Sequence, residues 1–600
     1  MNKARKQSHR PGTLKRLFRE SLILSSTRFV SSRVFRFFES GLVSPLLTSV
    51  QKVDRFIRNN ATNPLLEKTE LRKKFIMPVR NGFASLLSRS RIMNKISALR
   101  SALLGSSLRS IGIFLFTFGI YATAIFILKR YVDLGFGEAD TDDLSVSAIT
   151  VLVGMLFTLF GDKSVLASLG NGRIIGAMLS GSLGVNESTL NRIGTVKPPT
   201  AALTSFLLGS LFGVSTLFFR TWTIIFGLAV VILVVTIMCI PEFGLLLAVS
   251  TLSFLPLKYT SVIAFLTLVS YLIKCLRLKR NFRFGTADSI MLLFFIALFF
   301  SMISSGGSLN NGEIDILIFV SLYFAARNMI CTERLVYQTF NALCNGLCVG
   351  MILYLIGEYA TKIPHVHFRA VAQTLSENVM EPDMLAMLIV ATLPFVISSY
   401  TALGTKQPEI LFAVMLVGCV AVSDSFVLAA MVLCVFFLYI ALVYRAACGA
   451  MFGAAIIFPT AFVLLWDLCD STTVALFREL MYDEILDFGA EIKFSNFWEA
   501  LNGIGGVMTV VLFSLAVLMS FQRIFGGTVV NKSEFMQKIG GTVAVSAVVI
   551  VILAFMFNPF SDLRMVLAMS FIFGLCGAVY KVGKSFIPDY QEVEECKDES

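Results

Sequence analysis

His365 and His367 stand two residues apart, Arg369 follows two residues later, and Glu381-Pro382-Asp383 ends the same polar stretch before the chain turns apolar at Met384. In an extended chain the i, i+2 spacing points both imidazoles the same way, which suits a base that takes a proton from a hydroxyl. Arg369 offers a planar fork of donors matched to the oxygens of a phosphate or pyrophosphate. Each residue also has a plainer reading. The histidines can be solvated loop residues, and Arg369 can mark a helix boundary by pairing with Glu377 or Glu381. A metal pair on the two histidines lacks a third ligand nearby. Asp424, between Ser423 and Ser425, is either the polar tip between two short helices or a cavity carboxylate acting as a base. Asp467, Asp470, Asp483, Glu484 and Asp487 read most simply as a solvated face.

The elements that must hold these residues are membrane helices. One apolar segment ends over Ile352 to Gly357 and another runs from Met384 to Val396, so the charges between them sit at a membrane boundary. Facing lipid there is costly, which turns them toward protein, water or an anionic ligand. With 56% hydrophobic and only 15% charged residues among 600, the chain has the composition of an all-helical, polytopic membrane protein rather than of several soluble domains. At about 20 residues per crossing there are about 16 candidate helices, with a range of roughly 12 to 16 spans. They begin near Ile111, Val146, Ala201, Thr223, Phe243, Ser261, Ile290, Ile314, Leu335, Met384, Ile410, Phe426, Met451, Ile504, Val543 and Val566.

The formal net charge of +12 belongs to one arm: Met1 to Ser110 holds 23 Lys/Arg against 5 Asp/Glu, leaving 28 against 34 in the rest of the chain. Leu14, Leu17, Phe18 and Leu22 share a helical face while Lys15, Arg16 and Arg19 lie on others, the pattern of an amphipathic helix lying on a membrane. The arm therefore points to anionic lipid as its partner rather than nucleic acid. A cleavable signal peptide lacks its uninterrupted apolar stretch, and an Arg/Ser-rich transit peptide would be unusually long.

With the arm cytoplasmic, Lys274 to Arg280, Arg327 to Arg334, Arg445, Arg523 to Lys538 and Lys581 to Lys584 also fall inside. Glu138 to Asp143, Ser304 to Glu313, the His365 loop and Asp467 to Glu499 then fall outside. The resulting organisation is a basic arm (1–110), N-terminal spans (111–239), a core (240–580) with external loops 358–382 and 467–499, and a cytoplasmic tail (581–600). Gly161 to Lys197 is too broken for a span and reads as cytoplasmic and partly amphipathic.

Soluble-enzyme motifs are missing. Gly577 to Ser585 misses the spacing of a phosphate loop by one residue, Ser471 has no flanking elbow glycines, and neither a metal signature nor a cofactor motif is present. The eleven cysteines are scattered, mostly inside apolar segments, and imply no disulfide framework; Cys344 and Cys348 share a helix face without further ligands for a metal.

The segment RAVAQTLSENVMEPDMLAMLIVATLPF resembles one in the O-antigen ligase and polymerase superfamily, where an arginine precedes N-P-N, Leu-Ala and an apolar run ending in Pro-Phe; Arg369, Pro382, Leu385, Ala386, Pro394 and Phe395 fit. SNFWEALNGIGGVMTVVLF is similar to the family's segment after its large external loop, with Asn496 and Gly503 to Gly506 fitting, and the basic arm with GIFLFTFGIYATAIFILKR resembles the front of clostridial-type members. The resemblance implies metal-independent transfer or polymerisation of a glycan carried on polyprenyl pyrophosphate, outside the bacterial cytoplasmic membrane. It makes Arg369 the leading pyrophosphate ligand, with Glu381, Asp383 and Asn496 beside it in the substrate-binding set. The chain departs from the pattern at Ser495-Asn496, where the family has His-Asn, at Glu381-Pro382-Asp383 and at Ser423-Asp424-Ser425. His365, His367 or Asp424 would then have to supply the base. Two alternatives stay open: a catalytically degenerate relative that binds the lipid-linked glycan or scaffolds its assembly, and a transporter.

Overall fold

A computed structural model describes residues 107–132, 141–159, 202–276, 286–304, 321–362, 379–403, 496–530, 534–556 and 563–584, with single positions at Gly82, Phe282 and Gly418 and seven within 431–439. Among the described residues every regular element is a helix: α1 (Leu108–Tyr131), α2 (Thr141–Leu159), α3 (Ala202–Ser215), α4 (Thr221–Cys239), α5 (Pro241–Ser250), α6 (Leu257–Leu276), α7 (Thr286–Ser304), α8 (321–329), α9 (Glu333–Lys362), α10 (Pro382–Leu403), α11 (Asn496–Val530), α12 (Glu534–Met556) and α13 (Leu563–Lys584). Seven are long and apolar enough to cross a membrane, among them α1, α4, α6, α9 and α13, and five shorter apolar helices accompany them. This is a multi-pass helical membrane protein. The basic arm before Ser107 lies outside the described residues, except for Gly82, as do the segment 161–197, the candidate helices near Ile410 and Met451, and the expected starts at Ile314 and Phe426.

Helix ends follow local chemistry. The Ser107 hydroxyl accepts from the backbone N–H of Ser110 at 3.1 Å and so caps α1, whose last turn carries Lys129 and Arg130 against the negative end of the helix dipole. Pro241 opens α5 at a position where its missing N–H costs nothing. Two helices reach into the expected external loops. α9 continues to Lys362, so the first residues of loop 358–382 are helical, and α11 begins at Asn496, inside loop 467–499. Hydropathy marks where a helix leaves the apolar layer, whereas backbone hydrogen bonding carries on through Glu358 to Lys362.

The first three helices are joined by glycine contacts. A Cβ on Gly112 of α1 would come within 2.5 Å of the Thr158 nitrogen on α2, and one on Gly213 of α3 within 2.5 Å of the Tyr121 Cβ on α1. Gly209 and Gly213 form the small-xxx-small spacing that lets helix backbones approach in lipid. α4 links this unit to the core through α2, α5 and α6. In the core, α10 packs on α9, α12 and α13, and α11 packs on α7, α12 and α13. Phe340 of α9 and Phe395 of α10, both fully buried, stack with ring centroids 4.3 Å apart.

Candidate functional site

The sequence expectation centres on the start of α10, and the structure describes its second half. Every residue from Met384 to Val396 is buried, whereas Glu381 and Asp383, on either side of Pro382, are exposed. Pro382 takes the first helical position, and the Leu385 N–H donates to the Glu381 carbonyl at 2.8 Å. Asp383 lies in the first turn, so it also serves the helix dipole there. The approach to α10 is fixed from two sides. The Met380 N–H donates to the Ser253 carbonyl at 2.9 Å, and Arg564, at the start of α13, donates to the Val379 carbonyl at 3.3 Å. Ser253 in turn donates through its hydroxyl to the Gly346 carbonyl of α9 at 2.8 Å.

His365, His367, Arg369 and Asp424 lie outside the described residues. Asn496 opens α11, and Gly506 further along that helix takes φ +67°, a left-handed conformation that costs glycine little. α11 and α13 run in the same direction, because Arg523 near the end of one meets Gly577 near the end of the other. The start of α11 therefore lies at the Glu381 and Asp383 end of the bundle.

The opposite end holds a charged cluster that the sequence reading passed over. Asp288, in the first turn of α7, is fully buried. Its Oδ1 accepts from Arg523 Nη1 of α11 at 2.9 Å and from the Tyr323 hydroxyl of α8 at 2.8 Å, and Arg327 Nε of α8 lies 3.5 Å away. Arg327 Nη1 donates to the Gly577 carbonyl of α13 at 2.8 Å. Four helices are thus joined around one carboxylate.

Local sequence explains the convergence. Tyr323 and Arg327 are spaced i, i+4 and share a face of α8. α13 can approach that helix because Gly574 has no side chain: a Cβ there would lie 2.7 Å from the Tyr323 carbonyl oxygen. A Cβ on Gly577 would lie 2.7 Å from Arg327 Nε and 3.3 Å from Arg523 Nη1, so both guanidinium groups converge over that glycine. The segment that nearly matches a phosphate loop therefore begins within a helix, and Gly577 serves there as a contact surface.

Arg327 and Arg523 were expected only as members of basic stretches on the cytoplasmic side. Their side chains are 11% and 14% exposed, held on Asp288 in the low-dielectric interior. They do share an end with the other basic residues. Lys581 Nζ donates to Cys331 Sγ at 3.0 Å, and Tyr271, one turn from Lys274 on α6, donates to the Asn328 carbonyl at 3.3 Å. One signal for the cluster was available in the sequence: Asp288 is a lone acid at the head of a 19-residue apolar helix, where a carboxylate needs a partner.

Among the described residues no three His, Cys, Asp or Glu side chains come together to hold a metal, and Cys344 and Cys348 are buried thiols on α9. Comparisons with protein-family models, with curated proteins and with solved structures give no match for this chain.

Proposed function

We propose that the protein transfers or polymerises a glycan carried on polyprenyl pyrophosphate, at the end of the bundle where α10 begins. The observation that carries this reading is the division of one stretch into two parts. Its Leu385, Ala386 and Phe395 are core, whereas Glu381 and Asp383 stay open at the end remote from the basic residues. A rigid apolar half is what a loop needs if it is to hold Arg369 against a pyrophosphate with fixed geometry. In this reading Arg369 binds the leaving pyrophosphate, and Glu381, Asp383 and Asn496 face the substrate. His365 or His367, with Asp424 as the alternative, takes the proton of the acceptor hydroxyl. The chain would sit in a bacterial cytoplasmic membrane with 12 to 16 spans and both termini inside, its arm resting on anionic lipid.

A second reading is favoured by Ser495, which stands where the related pattern has histidine. It makes the protein a catalytically degenerate binder of the same lipid-linked glycan. Transfer of labelled glycan from its polyprenyl carrier in membranes separates the two. Arg369→Ala should lower an active enzyme's rate by about 100- to 1000-fold, the range found when a transition-state donor is removed. Arg369→Lys should also impair it, because an ammonium cannot reproduce the planar fork. Loss in the His365→Ala, His367→Ala double variant assigns the base. Carrier binding without turnover in the unaltered protein selects the degenerate reading, and full activity in Arg369→Ala contradicts the site.

A further inference from the structure

We infer that Arg327 and Arg523, held together by Asp288, form a binding site for a phosphate-type anion reached from the basic end of the bundle. The inference is independent of the glycan reading, which concerns the opposite end. Among the described residues two guanidinium groups face one carboxylate, an excess of one positive charge in an apolar surround. Among the described residues Asp288 is the only carboxylate paired with either arginine. Its Oδ1 already accepts from Arg523 and Tyr323. Arg327 Nε, 3.5 Å from that oxygen, is ion-paired to it but makes no hydrogen bond, alone among the buried side-chain nitrogens of the described residues.

A buried donor left unmade and a net charge left uncompensated both favour an incoming anion. The pair is not sealed, since each arginine keeps about a tenth of its side chain exposed. Both guanidinium groups converge over Gly577, where a single added carbon would already crowd Arg327, so the anion meets the pair on its exposed side. Lys581, on the same helix end, adds to the attraction. The shared chemistry is a phosphate, supplied either by the headgroup of an anionic lipid or by free phosphate.

Thermal unfolding of the purified full-length chain tests this, since a ligand that binds only the folded state raises its stability. One arm titrates inorganic phosphate against chloride at matched ionic strength in detergent. The other compares phosphatidylcholine vesicles with and without phosphatidylglycerol. We expect the unaltered protein to be stabilised in at least one arm, and which arm responds identifies the source. Asp288→Asn removes the internal counter-charge and should bind the same anion about tenfold more tightly or better, its lower stability being recovered as anion is added. Arg327→Lys keeps the charge but lacks Nε and should lose the response while remaining folded. If neither phosphate nor phosphatidylglycerol shifts the unaltered protein, or if Arg327→Lys responds as it does, the cluster is a structural pair only and the inference fails.

Discussion

The two ends of the bundle treat their acids in opposite ways. Glu381 and Asp383 stand exposed where α10 begins, while Asp288 is fully buried and bonded to Arg523 and Tyr323. An exposed carboxylate is screened by water and salt and contributes little to folding. A carboxylate in an apolar interior must be paired, and removing one partner leaves a charge with nowhere to go. The first pair stays open to solvent. Asp288 is committed to joining α7, α8 and α11.

That contrast orders the expected effects. Asp288→Ala should cost about 3–5 kcal/mol, because Arg327 and Arg523 are left buried without a counter-charge; denaturation in detergent would measure it. A loss below about 1 kcal/mol would mean that water reaches the cluster. Gly577→Leu should follow at about 1–3 kcal/mol, since its side chain has to displace Arg327 from the α13 surface. Smallest are Glu381→Gln and Gly227→Ala, each expected within about 0.5 kcal/mol. If Glu381→Gln proved as damaging as Asp288→Ala, the two ends would not differ in kind.

Gly227 is informative beside Gly577. It lies on α4, where a Cβ would meet nothing within 4 Å, and only 11% of that span is buried against 89% of the span in α13. Yet α4 is the more apolar of the two helices. Trp222, Phe226 and Val231 face outward as a lipid-contacting surface does, whereas α13 carries Gly574, Cys576, Gly577 and Ala578, small residues that admit neighbouring helices. Hydropathy identifies a membrane helix, and the distribution of small residues decides whether it is central or peripheral.

Much of the fold was legible on the same grounds. Expected helix starts at Ile111, Ala201, Thr223, Phe243 and Val566 each fall within three residues of the observed starts of α1, α3, α4, α5 and α13, because Pro, charge and polar breaks punctuate the apolar runs. The candidate site was legible only in part. Glu381 and Asp383 were visible as charges against an apolar run, whereas the partnership of residues 288, 323, 327 and 523 spans 235 positions of chain and leaves no local pattern. Arg327 and Arg523 looked like loop flanks because charge near a helix end reads the same in sequence whether it is solvated or paired.

The proposed function puts the glycan site at an outward-facing Glu381 end, with the basic end inward. Single-cysteine variants decide between this and the inverse, since Cys331 is already exposed at the basic end beside Lys581. One variant keeps Cys331 alone and the other carries only Glu381→Cys. In intact cells an impermeant thiol reagent should label the Glu381→Cys variant and leave Cys331 unmodified until the membrane is opened. Labelling of Cys331 in intact cells, with Glu381→Cys protected, would invert the orientation and remove the outward glycan site.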